Sequence, residues 1–247
     1  MTERNQVTNL ITSQNTLVII PTSGNGEDDN TPIALFKLNE KPLIYYAIDT
    51  ARQLAENIEI CVSSSDINII KTVSDYGLHV PFKLPHELYT EMLDVDEIVL
   101  HAIDHYARKE INFDQIILLS PYSPFCKVHH ILEAVSLFEE ATEMVTGVKK
   151  ITRPAGHYYL TENENGHLRK QSDTPIFNGK PIYKYNNAFA ILKTIAIRQY
   201  PRAFFQRIRK YVMDTEASVF VKNMNDLAHC QQILTKLGNA KKIIYPN

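Results

Sequence analysis

Two glycines lie in a polar segment directly after the first strongly apolar run of the chain. The run covers residues 16–20 and ends at Pro21, and the segment that follows reads PTSGNGEDDNTP. Gly24 and Gly26 would let backbone N–H groups approach an anion closely, as in loops that hold phosphate. The pattern matches neither GxxxxGKS/T nor GxGxxG, so an ordinary surface loop explains it about as well.

Three acidic residues, Glu27, Asp28 and Asp29, continue this segment, and no Lys or Arg occurs from residue 5 to residue 36. At an effective dielectric of about 20, each carboxylate at ~4–6 Å would repel a triphosphate by a few kcal/mol. A bridging cation would reverse the sign and turn the cluster into a metal site. A solvated acidic loop is the commoner arrangement.

Two histidines, His101 and His105, have the i, i+4 spacing with which a helix can hold a transition metal. No Glu lies between them in an HExxH arrangement, so a pair of structural histidines is the simpler interpretation. Cys126 lies in a loop that follows a predicted strand. No His and Asp occur in an order that would activate its thiol, so an inert cysteine is expected.

A cluster of basic and aromatic residues lies in the last fifth of the chain: Arg202, Phe204, Phe205, Arg207, Arg209, Lys210 and Tyr211. Such a cluster can bind RNA or an anionic ligand. One face of an amphipathic helix is the more frequent origin of this pattern, and it is the interpretation that we favour.

The composition limits the functions that these residues can serve. The 247 residues are 44% hydrophobic with a net charge of −2, which predicts one large domain and excludes disorder and a dedicated nucleic-acid binder. The three cysteines are far apart, without a CxxC pair, so neither a disulfide framework nor structural zinc is expected. With a polar N-terminus and short apolar runs, the chain is predicted to be cytoplasmic, without a signal peptide or membrane span.

Strand and helix patterns alternate along the chain and determine which loops share one edge of the fold. Apolar runs predict strands at residues 16–20, 58–62, 78–82, 115–119, 144–149, 187–192 and 242–245. Helical periodicity covers residues 41–56, 66–76, 94–109, 129–140 and 225–237, with Asp66 as an N-cap and Gly77 as a C′ residue. We predict an α/β fold with right-handed crossovers and a mainly parallel mixed sheet flanked by helices.

The region from residue 151 to residue 185 differs from this pattern. It is rich in Tyr and polar residues, and segments 157–160 and 166–169 predict a hairpin outside the main sheet. We expect a polar tail over residues 1–15 and a single domain over residues 16–247 that includes this β-rich excursion. In such sheets, ligands bind at the carboxyl ends of the strands.

Seven segments occur in the order and spacing of one family's motifs. They are LVIIP at 17–21, KPLIYYAI at 41–48, CVSSSDI at 61–67, VPFKLPHEL at 80–88, HAI at 101–103, LLSPYSPF at 118–125 and NNAFAI at 186–191. The chain thereby resembles the CMP-acylneuraminate synthetases, cytidylyltransferases that activate sialic-type sugars and are related to the Kdo enzymes. The resemblance implies a Rossmann-like nucleotidyltransferase fold, a homodimer with the 151–185 excursion as dimerisation arm, and Mg²⁺-dependent transfer of CMP from CTP.

The same resemblance implies where the ligands bind. The nucleotide would lie against Ser23, Gly24, Asn25, Gly26, Glu27, Ser65, Asp66, Ser120 and Ser123. The acidic sugar would lie against Arg169, Lys170, Gln171 and Asn186; the first three resemble the family's RRQ, although a charged hairpin tip explains them equally well. Asp226 matches a later Asp of the family and is the one candidate metal ligand, or else a surface or cap residue.

Several positions depart from the family pattern, and they do so together. Ser23 and Glu27 replace basic residues of the first loop, and Leu84 replaces the Arg of the RP motif. The family's metal-binding DID is Phe220-Val221-Lys222 here, and neither Phe nor Lys can bind Mg²⁺ through oxygen. Further departures occur after the predicted strand at 115–119: Ser120 stands in place of the family's Gln, and Cys126 stands where the family has Arg or Lys, with the basic residue displaced to Lys127.

Two hypotheses follow for the function. The first is a cytidylyltransferase of nonulosonate metabolism, which converts CTP and an acylneuraminate to CMP-sugar and pyrophosphate with Mg²⁺. The second is a catalytically inactive homologue, a pseudoenzyme that acts as a binding or scaffold subunit and needs no cofactor. Because losses at phosphate, base and metal positions coincide, we place the second slightly ahead of full CMP-sugar synthesis; a changed nucleotide or donor is a third possibility. No nucleic-acid or membrane partner is expected.

Overall fold

The computed structural model describes residues 11, 15–22, 31–85, 95–151, 159–171 and 181–244, and within them ten strands alternate with six α-helices. The strands are β1 (Thr16–Pro21), β2 (Lys37–Leu38), β3 (Lys41–Pro42), β4 (Glu59–Ser63), β5 (Gln115–Leu119), β6 (Met144–Ile151), β7 (Tyr159–Glu162), β8 (Leu168–Gln171), β9 (Ile182–Lys193) and β10 (Ile208–Val212). The helices are α1 (Leu43–Arg52), α2 (Ile67–Asp75), α3 (Val95–Ala107), α4 (Val128–Val135), α5 (Thr194–Gln199) and α6 (Met224–Ile244). Single 3₁₀ turns occupy Ile33–Leu35 and Arg202–Phe204.

The main sheet has the strand order β10-β6-β9-β5-β1-β4. Strand β1 pairs in parallel with both β4 and β5, and β10 pairs in parallel with β6. Strand β9 runs antiparallel to both β5 and β6, so the other five strands of this series share one direction. The hairpin β7–β8 joins the edge of β9 through the pair Leu160–Tyr183. The predicted mainly parallel mixed sheet is confirmed.

Helices cover both faces of this sheet. Alternate residues of β1 point to opposite sides: Val18 and Ile20 join the core beneath α1, α2 and α4, while Leu17 and Ile19 join the core beneath α3 and α5. All four are fully buried. A strand covered on both faces reads as a continuous apolar run, which is why the sequence predicted β1 correctly.

The predicted third strand, at residues 78–82, is wrong. These residues form no strand, and the segment reaches the sheet only at the isolated bridge between Ser64 and Lys83. Pro81 has no N–H group to donate to a ladder. Leu78 and Val80 instead pack, partly buried, against the core.

The predicted last strand, at residues 242–245, is also wrong, because residues 242–244 continue helix α6. The helix was expected to stop at Leu237, before Gly238. A glycine inside a helix costs only about 1 kcal/mol, which a helix already anchored by packing can absorb. Leu227, Cys230 and Ile233 supply that anchor against the core around β2 and α1.

The basic and aromatic cluster near residue 205 is not a helix face, contrary to our interpretation. Its residues form the 3₁₀ turn Arg202–Phe204 and strand β10. Its cations are paired with acids of neighbouring elements: Arg207 with Glu143, Arg209 with Glu139, and Lys210 with Glu162. The cluster is therefore mostly neutralised.

Three further observations concern the described residues. Cys61, Cys126 and Cys230 are free thiols, and all three are buried. Among the helices that the structure describes, none is long and apolar enough to cross a bilayer. Of the predicted N-terminal tail, residues 11 and 15 are described, and Ile11 is buried in the core.

Candidate functional site

A cleft of about 670 Å³ opens at the carboxyl ends of β1 and β5. The β-sheet continues beyond these ends, because β6 and β9 extend past β5 and carry the β7–β8 hairpin. The first turn of α3 and the 3₁₀ turn at Arg202–Phe204 add further lining residues. The polar and aromatic side chains that line the cleft are Asp96, Ser120, Tyr122, Thr146, Lys170, Tyr185, Asn187, Phe189, Arg202 and Phe220.

One wall of the cleft is aromatic. The rings of Tyr122 and Phe220 lie with centroids 5.5 Å apart at an interplanar angle of 58°. The backbone holds them in place, since the Val221 N–H donates to the Tyr122 carbonyl over 2.8 Å. Phe220 is the residue that stands where the family resemblance implies a metal-binding carboxylate. This part of the cleft therefore presents a ring instead of oxygen ligands.

A buried ion pair lies on another wall. Asp96, in the first turn of α3, is 7% exposed and accepts from the Arg202 backbone N–H over 2.9 Å and from the Arg202 Nε–H. A buried carboxylate is tolerated when hydrogen bonds and an opposite charge compensate its desolvation. Burial raises the pKa of the neighbouring Tyr185 to about 12, although the Arg202 charge acts in the opposite direction. The Tyr185 hydroxyl is thus a neutral hydrogen-bonding group at neutral pH.

A second buried carboxylate fixes the same chain segment a few residues later. Glu143 accepts from the Gln206 N–H over 2.8 Å, from the Arg207 N–H over 2.7 Å and from the Tyr200 hydroxyl. Burial by itself raises the pKa of Glu143, but these hydrogen bonds and the Arg207 charge outweigh it and lower the pKa below its ordinary value. Residues 200–207 are therefore held at both ends by acids of other elements.

The predicted sugar residues separate into different locations. Lys170 lines the cleft, whereas Arg169 precedes it on β8, is exposed and hydrogen-bonds Gln206. Adjacent residues of a strand point to opposite faces, so the pair cannot serve the cleft together. The Gln171 side chain lies outside the described part of the chain.

Asn186 lies behind the cleft wall. It is 4% exposed, its Nδ2 donates to Met213 Sδ and Ser218 Oγ, and its Oδ1 accepts from the Ala188 N–H. Its neighbour Asn187 lines the cleft, at a backbone φ of 57°. The family motif that segment 186–191 resembles, NGAIYI, has glycine at this position, and glycine is the usual residue for a left-handed conformation.

Of the predicted nucleotide-binding residues, Ser120 lines the cleft, where its Oγ accepts from the Tyr122 N–H over 3.2 Å. Asp66 is the N-cap of α2, as predicted, and accepts from two N–H groups of the first turn. Ser65 precedes it and does not line the cleft. Ser123 is buried, and its hydroxyl has no hydrogen-bond partner among the described residues. Residues Ser23, Gly24, Asn25, Gly26 and Glu27, with Asp28 and Asp29, lie outside the described residues.

The described residues do not fit a Mg²⁺ ion at the position that the family motif implies. The Asp226 carboxylate accepts from the Lys222 N–H over 2.9 Å, and the Asp226 N–H donates to Asn223 Oδ1, so Asn223 caps the helix and Asp226 holds the backbone that precedes it. Within the described ranges, no three His, Cys, Asp or Glu side chains gather in a group that could hold a metal. Phe220, Val221 and Lys222 offer no carboxylate.

The remaining candidate groups are packing residues in the structure. The rings of His101 and His105 contact Phe82 with centroid distances of 4.7 and 4.6 Å, and burial lowers the pKa of each histidine. Burial raises the pKa of the Cys126 thiol to about 12, which keeps it protonated and unreactive.

Sequence reasoning missed Asp96, Tyr185 and Asn187 as cleft residues. Asp96 and Arg202 are 106 residues apart, so no local spacing could join them. Arg202 was noticed only as part of a basic cluster.

Comparison with known proteins gives a consistent picture. Residues 34–243 match the family model described as Cytidylyltransferase. The chain is 31% identical over 156 residues to the CMP-N,N'-diacetyllegionaminic acid synthase of Legionella pneumophila, covering 61% of this chain and 66% of that protein. It is 27% identical over 238 residues to the N-acylneuraminate cytidylyltransferase of Escherichia coli O18:K1:H7, covering 94% of this chain and 55% of that protein. The chain thus spans between about half and two thirds of the length of these curated relatives.

Two solved structures share the fold. A CMP:2-keto-3-deoxy-manno-octonic acid synthetase complexed with CTP superposes with a TM-score of 0.68 at 12% identity, covering 90% of this chain and 98% of that one. The 4-diphosphocytidyl-2C-methyl-D-erythritol synthase of Anaerococcus prevotii gives 0.57 at 10% identity, covering 89% and 98%. The predicted Rossmann-like nucleotidyltransferase fold is confirmed.

Proposed function

The chain belongs to the cytidylyltransferase family, and from this premise we propose that it is a binding homologue of the nonulosonate CMP-sugar synthetases. In this proposal the cleft binds an acidic nine-carbon sugar, or its CMP conjugate, without transferring CMP from CTP. The observation that carries the proposal is Phe220, which packs against Tyr122 on the cleft wall where a metal-binding carboxylate would be needed.

The family reaction makes severe demands on charge. The sugar hydroxyl attacks the α-phosphorus of CTP and pyrophosphate leaves, so catalysis consists mainly of positioning and of neutralising negative charge. Asp226, four residues after Lys222, does not meet this demand, because its carboxylate accepts from the Lys222 N–H and does not line the cleft. No described residue replaces the missing Mg²⁺ ligands at the Phe220 wall.

Two cations of the cleft suit an acidic ligand. Lys170 and Arg202 line it, together with the neutral Tyr185 hydroxyl. A volume of about 670 Å³ lies within the range of small-molecule sites. The names of the two curated relatives refer to N-acylneuraminate and to CMP-N,N'-diacetyllegionaminic acid, which are sugars or sugar conjugates of this kind.

An active CMP-sugar synthetase that uses Mg²⁺ is the competing function. Ser120 and Lys170 favour it, because the family resemblance predicted both and both line the cleft. The two functions differ in what they require of CTP and Mg²⁺.

Calorimetry and a pyrophosphate assay distinguish these functions on the full chain. We expect binding of N-acylneuraminate or CMP-N-acylneuraminate, no measurable binding of CTP with Mg²⁺ at millimolar concentrations, and no pyrophosphate release. Tight CTP binding followed by pyrophosphate release would overturn the proposal in favour of the synthetase. Binding of neither sugar nor nucleotide would overturn both functions.

The assembly and location complete the proposal. We infer a cytoplasmic homodimer in which the single domain over residues 16–247 uses the 151–185 excursion as dimerisation arm. The β7–β8 hairpin supports this, since it pairs with the main sheet only at Leu160–Tyr183 among the described residues. Light scattering on the purified protein would contradict the dimer if it gave the monomer mass of 28.3 kDa.

A further inference from the structure

We propose that Arg202 binds the carboxylate of the acidic sugar, and that Asp96 is the positioning residue that aims it. This inference rests on the proposed function and assigns the acid-recognising group of the same cleft. It differs from the expectation that Arg169 would serve this role, because Arg169 is exposed and hydrogen-bonds Gln206.

The nitrogens of the Arg202 guanidinium have two different environments: Nε is bound to Asp96, whereas Nη1 and Nη2 have no such bond to a described residue. Its Nε donates to Asp96 Oδ1, and the Arg202 backbone N–H donates to Asp96 Oδ2, so one carboxylate holds both the main chain and the root of the side chain. No hydrogen bond to a described residue uses Nη1 or Nη2. These two nitrogens form the fork that binds a planar carboxylate through two parallel hydrogen bonds.

The surroundings make this fork rigid before a ligand arrives. Glu143 holds Gln206 and Arg207 a few residues further along, so the segment that carries Arg202 is fixed at two points. Binding groups that are already ordered lose less entropy on binding, which favours affinity. Lys170 and Tyr185 line the same cleft and can add a charge and a neutral hydroxyl to the acid's surroundings.

The probe pair that isolates the carboxylate is N-acetylneuraminate and its methyl ester. They differ in one charged group, so the ratio of their dissociation constants reports recognition of the acid and not the integrity of the cleft. We expect Arg202→Lys to raise the dissociation constant of the acid by about 10- to 100-fold and to change that of the ester by less than about 2-fold. The reason is that Lys keeps the positive charge beside Asp96 but lacks the two-nitrogen fork. Asp96→Asn should raise the dissociation constant of the acid by about 3- to 10-fold and leave that of the ester unchanged.

A matched control is available in the same segment. Arg207 also pairs with a buried carboxylate, Glu143, but it does not line the cleft. Arg207→Lys should therefore leave the ratio of acid to ester binding unchanged, even if it lowers the melting temperature.

Each outcome decides the inference. Equal loss of acid and ester binding in Arg202→Lys, or no loss of either, would overturn the role of Arg202 while the proposed function stands. CMP carries a phosphate and no carboxylate. If Arg202→Lys weakened the binding of CMP and not that of the acid, the inference would also be overturned and Arg202 would be assigned to the nucleotide. If the wild-type protein binds neither sugar form, the proposed function fails first and the inference falls with it.

Discussion

Phe220 lies against Tyr122 at the carboxyl edge of the sheet, with the ring centroids 5.5 Å apart. The hydrogen bond from the Val221 N–H to the Tyr122 carbonyl fixes which residue faces the cleft at this point. This wall of the cleft therefore presents an aromatic surface at the position where the family resemblance implies oxygen ligands.

Replacing Phe220 and Lys222 by Asp should create a Mg²⁺ response that the wild type lacks. The double variant should lose about 1–3 kcal/mol of unfolding free energy, because a partly buried ring is removed and a charge is introduced. Millimolar Mg²⁺ with CTP should then raise its melting temperature, since carboxylates supply the oxygens that this ion prefers.

The control for this pair is the double Asn variant, which has nearly the same size without the charge. Thermal unfolding with and without Mg²⁺ measures both. A Mg²⁺ response in the wild type, or an equal response in the Asn variant, would contradict the argument from Phe220.

Gly147→Ala should destabilise the protein by about 1–3 kcal/mol. A Cβ at this position would lie 2.6 Å from Asn186 Oδ1 and 3.1 Å from Met213 Sδ. Asn186 cannot move aside easily, because its amide is held by Met213, Ser218 and Ala188. Urea unfolding gives the free-energy change.

Gly238→Ala is the matched control, because nothing lies within 4 Å of the added Cβ and the residue is inside α6. It should stabilise the protein by up to about 1 kcal/mol. Equal effects of the two substitutions would show that Asn186 is not rigidly held.

Strand β1 and the cap of α2 could be predicted because their causes are local. Residues 17–20 are all apolar since helices cover both faces of β1, and Asp66 accepts hydrogen bonds from N–H groups two and three residues later. Residues 78–82 have similar apolar character but contain Pro81, which cannot donate to a ladder. The apolar pattern alone therefore predicted a strand there that the proline prevents.

The cleft could be predicted only in part, for a different reason. Ser120 could be predicted because it directly follows a strand, Gln115–Leu119, that the sequence predicted. Arg202 acquires its place from Asp96, a residue 106 positions earlier, and no spacing along the chain encodes that contact. Asn186 and Asn187 show the same limit at short range, since only the local irregularity in the β6–β9 pairing decides which of the two faces the cleft.

Asn187→Gly should stabilise the protein or leave its stability unchanged, while Asn187→Ala should cost about 1 kcal/mol relative to the glycine variant. The cause is the backbone φ of 57°, a left-handed conformation that glycine adopts freely, asparagine tolerates and alanine adopts at a cost. Urea unfolding of the two variants in parallel measures the difference. An alanine variant as stable as the glycine variant would contradict this conformation at the cleft wall.

Glu143→Gln should destabilise the protein by about 2–3 kcal/mol at neutral pH, because several donors lose a charged acceptor. The pKa of Glu143 in the folded protein is lowered below its ordinary 4.5, so its stabilisation is present above the unfolded-state pKa and is lost as the pH falls through the folded-state pKa. The difference between wild type and variant should therefore be constant above about pH 5 and shrink below it.

Glu139→Gln is the control, since the Glu139 side chain is 65% exposed in its pair with Arg209 and should contribute less than about 1 kcal/mol. A pH-independent difference, measured by urea unfolding from pH 7 down into the acid range, would show that Glu143 is not the acid that fixes residues 200–207.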